Sequence, residues 1–308
     1  MNGPVNHLLK LLELYPDADW NYYWLSSNPN ITWDFVQSKP NADWDYCLLS
    51  ANPNITIDII QANPDKPWNG YGISQNPSMD LEIIKNFSNH YTMASNSKVT
   101  MDIIVNNDWN YYWLSQNPNV TWDYIKNNLD KRWNFNHLSE NTNITWEIIK
   151  NNPEQLWNYM LLSANPNITL DIIKAHPEKP WNNYYLSQNP NINIDIVKDN
   201  PDINWDYSGL AQNPNITMDV VKDNPDINWD YNGLAQNPNL TYEFVKENID
   251  KFCFSKISGN TFSRANEASR REWLERQKQK ETVYSNMALL AEFDILPEEI
   301  KLYIVNFV

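Results

Sequence analysis

Ten acidic residues recur at one place along this 308-residue chain: Asp34, Asp58, Glu82, Asp102, Asp123, Glu147, Asp171, Asp195, Asp219 and Glu243. Carboxylates in such number have two chemical uses, general acid–base work and the binding of hard cations. Their local setting argues for neither. Each stands two residues after Thr32, Thr56, Asp80, Thr100, Thr121, Thr145, Thr169, Asn193, Thr217 or Thr241. The side-chain oxygen of such a residue accepts a free backbone N–H at the start of a helix. An acid in the first turn is then favoured by the helix dipole. A catalytic acid needs one special environment, and tenfold repetition supplies ten equivalent ones. The histidines (His7, His90, His137 and His176) are scattered, without a Cys or second His at metal-ligand spacing. Cys47 and Cys253 lie many units apart, and no Gly-rich phosphate loop or Ser-His-Asp arrangement is present. The chain is therefore expected not to be an enzyme, with no catalytic, cofactor-binding or metal-binding residue and no cofactor.

The elements that hold these acids form a repeat. Trp occurs at 20, 44 and 68, and again at 109, 133, 157, 181, 205 and 229, at intervals of 24 residues within each series. The 41 residues from Trp68 to Trp109 fit two shortened units, the second opening at Ser88. Ten units follow one another from Trp20, a half unit precedes them, and a decayed eleventh begins near Phe252. In the first, Trp20 to Ser27 spans two helical turns, Asn28-Pro29-Asn30 breaks the helix, and a second short helix follows Thr32. Ile31 before the cap and Val36 inside the helix make a hydrophobic staple, as Ile55 with Ile60 and Ile168 with Ile173 do later. Helices this short are unstable alone and must stack. The predicted fold is all-α: a right-handed-type α-solenoid of short helix-turn-helix repeats with a C-terminal helical cap. At about 10 Å per layer it would extend on the order of 100 Å. Residues 1–260 form the solenoid, with a half repeat at 1–19 and irregular repeats at 68–108. A charged helix at 261–285 and a terminal helix at 286–308 follow. The opening tryptophans are expected to fill the junctions between layers.

A formal net charge of −15 makes nucleic acid a poor partner and favours a basic one. The Leu-rich start lacks the basic opening and small-residue cleavage site of a signal peptide, and no apolar run reaches membrane-spanning length. Intracellular placement without secretion or membrane association is expected. Within the first helix the middle positions change type from unit to unit while their neighbours stay constant. Core positions of a repeat resist such change, so variable ones face solvent or a ligand, and Tyr or Trp there supplies binding area. The candidate protein-binding residues are Tyr23, Trp24, Tyr112, Trp113, His137, Tyr184 and Tyr185. Partner identity and oligomeric state are left open.

Near the end, Leu296, Pro297, Glu299, Ile300 and Ile304 fall in the pattern Leu-Pro-x-Glu-Ile followed by Ile four residues on. This resembles the opening of an F-box, and is similar to the truncated F-box-like tail of poxvirus ankyrin-repeat proteins. That resemblance implies docking of the tail on the adaptor of a host cullin-type ubiquitin ligase; the same residues otherwise make an amphipathic capping helix. The repeat itself, Leu-Ser-x-Asn-Pro-Asn-Ile-Thr-x-Asp-Ile-Ile-Lys, resembles tandem 24-residue repeats in proteins of amoeba-infecting giant viruses (mimivirus relatives). Together the resemblances imply a viral, non-enzymatic substrate receptor acting in host cytoplasm; the alternative is a structural scaffold of a virion or viral factory.

Overall fold

The computed structural model describes residues 4–87 and 93–292, with side chains to 282. Among the described residues all regular structure is helical. Where a unit is fully described it holds two helices, as Tyr22–Ser27 and Trp33–Ser38 in the first, and most span only four to six residues. The second helices start where the Thr-x-acid pattern places them: Thr32, Thr121, Thr145, Thr169, Asn193, Thr217 and Thr241 each accept the third backbone N–H. The first helices are capped just as regularly by the residue after each opening Trp, including Asn21, Asp45, Asn69, Asn182 and Asp206. Most end where Asn28 or a counterpart precedes a proline, which holds it extended; Asn141 is extended as well, with Thr142 after it.

Eleven buried asparagines join the units: Asn28, Asn52, Asn76, Asn96, Asn117, Asn141, Asn165, Asn189, Asn213, Asn237 and Asn260. Asn213 shows the geometry. Its Nδ2 donates to the carbonyls of Ser187 and Asn189 in the preceding unit at 2.7 and 3.0 Å, and its Oδ1 accepts from Asn215 N–H at 2.8 Å. The turn asparagine two residues on adds a second bridge, Asn215 Nδ2 to Pro190 and Ile192 carbonyls at 2.7 and 2.9 Å. Backbone groups at both helix ends, which would otherwise be buried without partners, are thus satisfied by the neighbouring unit.

The ladder has no end. Asn28 of the first unit donates to Ser258 and Asn260 carbonyls of the eleventh at 3.0 and 2.8 Å, as Asn52 does to Ser26 and Asn28 at 3.1 and 2.9 Å. The other inter-unit contacts close likewise. Asn21 N–H donates to Ser258 Oγ at 2.9 Å, matching Asp45 N–H on Ser26 Oγ at 3.0 Å. Trp20 meets Phe254 at 4.9 Å, matching Trp44 on Tyr22 at 5.0 Å. One apolar cluster accordingly holds Leu8–Leu49 side chains together with those from Leu186 to Phe262. The repeats close into a ring, where a linear superhelix with a capped open end was expected.

Closure rests on a shared unit. The helix α1 (His7–Leu14) is a complete second helix: Asn6 caps Leu9 N–H, and Trp20 Nε1 donates to Tyr15 O at its far end, as Trp44 Nε1 does to Lys39 O. It packs beside Tyr242–Glu247, the second helix of the tenth unit. The eleventh unit therefore takes its first helix, Phe254–Ile257, from one end of the sequence and its second from the other. The segment at 1–19 is the missing half of unit eleven and not a separate half repeat. At Phe262 the chain turns aside with φ 49°, the only positive φ at a non-glycine residue among those described. Its ring is fully buried and stacks on His7 at 6.3 Å. The helix Ser263–Glu292 then leaves over the turn edge, where Arg264 and Ala265 N–H donate to Pro238 O. It runs past residue 285, the boundary placed on sequence, as one helix. Val5 N–H on Ser269 Oγ (2.8 Å) and His7 N–H on Asn266 Oδ1 (3.0 Å) pin α1 beneath its first turns.

First helices of adjacent units approach more closely than second helices do. Were a Cβ placed on Gly209, it would sit 2.4 Å from Tyr184 O, whereas neighbouring second helices are linked by long side chains such as Lys222 to Glu247 at 2.9 Å. In a closed array the more tightly spaced element lies at the smaller radius, so the first helices form the inner circle.

Two outcomes follow. Asn213→Ala leaves Ser187 and Asn189 carbonyls without their donor and is expected to lower unfolding free energy by about 3 kcal/mol, read by urea titration. At the seam, His7 is buried and its Nδ1 accepts from Tyr242 N–H at 3.1 Å. Burial holds its imidazole below the ordinary range, against a smaller upward pull from Glu243. A lowered folded value means that the unfolded chain binds the proton more readily. The stability contribution is thus complete above the unfolded pKa of about 6.5 and is lost as pH falls toward the folded value. Melting temperatures from pH 8 to pH 5 should fall more steeply for the native protein than for His7→Gln, which cannot titrate.

Candidate interaction surface

The aromatic rings divide into two populations. Five that open inner helices pack edge-on against the next unit's opening Trp: Tyr22 on Trp44, Tyr46 on Trp68, Tyr111 on Trp133, Phe135 on Trp157 and Tyr159 on Trp181, all within 5.0–5.3 Å. Trp20, Trp109, Trp133, Trp157, Trp205 and Trp229 are buried. The indole N–H is used as well, donating to the carbonyl five residues back and so closing the preceding outer helix.

The second population is exposed. Tyr23, Trp24 and Tyr112 stand 50%, 51% and 48% exposed on the inner helices, so their burial would be gained only from a partner. Two clusters form. Tyr112 lies edge-on to Trp113 at 5.3 Å and to His137 of the next unit at 5.5 Å, while Trp113 reaches Tyr71 at 6.0 Å. Gln116 and His137 are in hydrogen-bond contact at 2.9 Å beside a cleft of about 330 Å³ that Glu140 and Asn141 also line. The other cluster is Tyr23 with Trp24, at 5.2 Å, and Trp24 lies over Gly259 across the seam. Tyr184 and Tyr185 are half-buried; Gln212 Nε2 donates to Tyr184 Oη at 2.8 Å. The seven repeat-face residues read from sequence thus fall into separate groups along the ring. Tyr71 (44% exposed) and Met160 (42%) belong with them and were missed, although both occupy the position of Tyr23 and Tyr112 in their units.

The variable position next to Tyr23 has another use. Gly72, Gly209 and Gly233 stand where Trp24, Trp113 and Tyr185 do, and each is buried against the preceding inner helix. A Cβ would meet Cys47 O at 2.3 Å, Tyr184 O at 2.4 Å and Ser208 O at 2.7 Å respectively. Side-chain size here sets the spacing between units as well as the surface they present. Where glycines draw the inner helices together, the outer side opens: a cleft of about 750 Å³ lies between units eight and nine, and one of about 630 Å³ between nine and ten.

The ten repeated carboxylates are all exposed in first turns. Among the described residues no group of three or more His, Cys, Asp or Glu side chains is placed to hold a metal ion, and no helix is long and apolar enough to cross a membrane. Leu296, Pro297, Glu299, Ile300 and Ile304 lie outside the described residues, as does His90. The chain matches no protein-family model, and comparison with curated proteins and with solved structures returns no match.

Gly209→Ala forces the inner helices of units eight and nine apart. It is expected to destabilise the ring by about 2 kcal/mol in denaturant unfolding, whereas Tyr23→Ser, which installs the residue of Ser208, should change stability by less than about 0.5 kcal/mol.

Proposed function

We propose that this protein is a non-catalytic scaffold that holds a protein partner on the aromatic residues of its inner helices. The observation behind the reading is the exposure of Tyr23, Trp24, Tyr71 and Tyr112, large rings that the packing of the ring leaves free while every opening Trp is used. Tyr and Trp carry much of the energy of protein interfaces because they bring large contact area with few torsions to freeze. The net charge of −15 favours a partner of basic character. The resemblance of Leu296, Pro297, Glu299, Ile300 and Ile304 to an F-box-like tail adds a second engagement, with a ubiquitin-ligase adaptor, and makes the scaffold a substrate receptor.

The test uses side chains that other units already carry. Tyr23→Ser with Trp24→Leu copies Ser208 and Leu48, and Tyr112→Ser copies Ser208 again. A partner recovered by cross-linking, identified and purified, should bind the native ring at least tenfold more tightly than the triple variant in calorimetry. Equal affinity would refute the aromatic surface. Ile300→Asp with Ile304→Asp should abolish adaptor recovery and leave that first affinity unchanged; adaptor absent from both samples would remove the receptor reading and leave a scaffold.

A further inference from the structure

At several steps of the ring the protein places a cation of its own over an aromatic ring. Lys131 Nζ lies 6.0 Å from the Tyr111 ring, Lys179 Nζ 5.5 Å from Tyr159, and Lys251 Nζ 4.8 Å from Tyr231. In each pair the lysine follows the tyrosine by 20 residues, so one position of the repeat supplies the ammonium. Such a pair is favourable at an exposed site and more so where water is excluded.

The lysine is not supplied at every step: Gln155 follows Phe135 and Ile227 follows Tyr207 by 20 residues, and the step between units one and two lacks it as well. The residue 20 places after Tyr22 is Ala42. A cleft of about 340 Å³ lies there, lined by Trp20, Tyr22, Tyr23, Asp43, Trp44 and Asp45. Asp45 Oδ1 accepts Leu48 N–H at 2.9 Å in capping its helix. Elsewhere lysines pair with acids, as Lys66 with Asp65, Lys98 with Asp80 and Lys131 with Asp130, but neither Asp43 nor Asp45 is in an ion pair among the described residues. Trp44 is the only opening Trp with an aspartate on both sides; at Trp205 and Trp229 the preceding residue is Asn, and at Trp133 it is Arg. Here the aromatic walls are kept, the internal lysine is missing, and negative charge is doubled.

We infer that this cleft binds an alkylammonium cation from outside, the side chain of a lysine or N-methylated lysine on a basic partner. The cation supplies at this step the charge that Lys131, Lys179 and Lys251 supply in sister units, with the aromatic residues offering apolar surface to its methylene and methyl groups and the two aspartates balancing its charge. An anion would face two carboxylates, and a neutral apolar group would desolvate them without compensation. That the cation belongs to a protein rests on the function proposed above; the affinity of the cleft for the cation does not.

The probe is N-acetyl-trimethyllysine methylamide, with unmethylated lysine amide and a neutral isostere carrying carbon in place of the charged nitrogen. Each is titrated into the full chain with indole ¹⁵N-labelled tryptophan. Saturable shifts of the Trp20 and Trp44 signals by either charged probe, with none by the isostere, are expected. Ala42→Lys, which installs the internal cation of the sister units, should weaken binding at least fivefold, and so should Asp43→Asn with Asp45→Asn, residues found at those places in Asn204 and Asn69. Because all three replacements occur elsewhere in the ring, folding should be retained, checked by unchanged melting. No saturable shift, an equal response to the isostere, or undiminished binding by Ala42→Lys overturns the inference. If instead a protein partner still binds through Tyr112 while these probes fail, only the cation site falls.

Discussion

The fold depends on one buried carboxamide per unit. Two donors and an acceptor on a short, stiff side chain are what a layer needs to satisfy two carbonyls of its neighbour and one amide of its own turn. Asn28 and eight of its counterparts do this while buried, and Asn96 and Asn141 each reach one neighbouring carbonyl. Asp would place an acceptor against the carbonyls, and Gln would add a torsion and a methylene to a close-packed layer. Helices of four to six residues have little intrinsic stability. They persist because each end is closed by another part of the array: Asn or Asp at the start of inner helices, Thr at the start of outer ones, and an indole N–H at the end. The inter-unit bonds are therefore the secondary structure's support as well as the glue between layers.

Ring closure changes the energetics of a repeat array. In an open solenoid, stability is a sum of unit and neighbour terms, and the terminal units have one interface each and need special outer faces. Here every unit has two interfaces, and the eleventh gains its second by joining Phe254–Ile257 to α1. The curvature that permits this is uneven. Gly209 and Gly233 bring inner helices into backbone contact and open outer clefts, whereas Trp24 and Trp113 project at the same position. One variable position thus sets local bend and local surface together, so the surface cannot be altered there without altering the bend.

Much of the outer circle was legible in the chain, because capping is local: Thr32, Asp34 and Ile31 state a helix start within four residues. The ladder was not, because Asn-Pro also reads as a local turn. A signal existed. Asn96, Asn141 and Asn260 persist where the following proline has become Ser97, Thr142 or Thr261, which a turn alone would not require. Closure was illegible for a different reason. Its two halves lie at opposite ends of the sequence, and the residues at the seam depart from the repeat, with Phe252 in the place of Trp and Val5-Asn6 in the place of Ile-Thr. Exposure of Tyr23, Trp24 and Tyr112 could be read from variation between units, but the same variation at Gly72, Gly209 and Gly233 records packing. Only spatial neighbours separate the two causes.

The shared eleventh unit shows that the array tolerates a gap in its own backbone. All eleven junctions between units are covalent, and the break lies inside the eleventh unit, where Phe254–Ile257 and α1 are joined by packing and hydrogen bonds alone. The units repeat the same pairing of helices, so the chemistry that holds this break would hold another. A cut in any exposed turn yields two pieces joined at two seams, each of a kind the molecule already contains. Fragments expressed apart then carry matching ends, and the order of units in the sequence becomes one of eleven equivalent ways of writing the same circle.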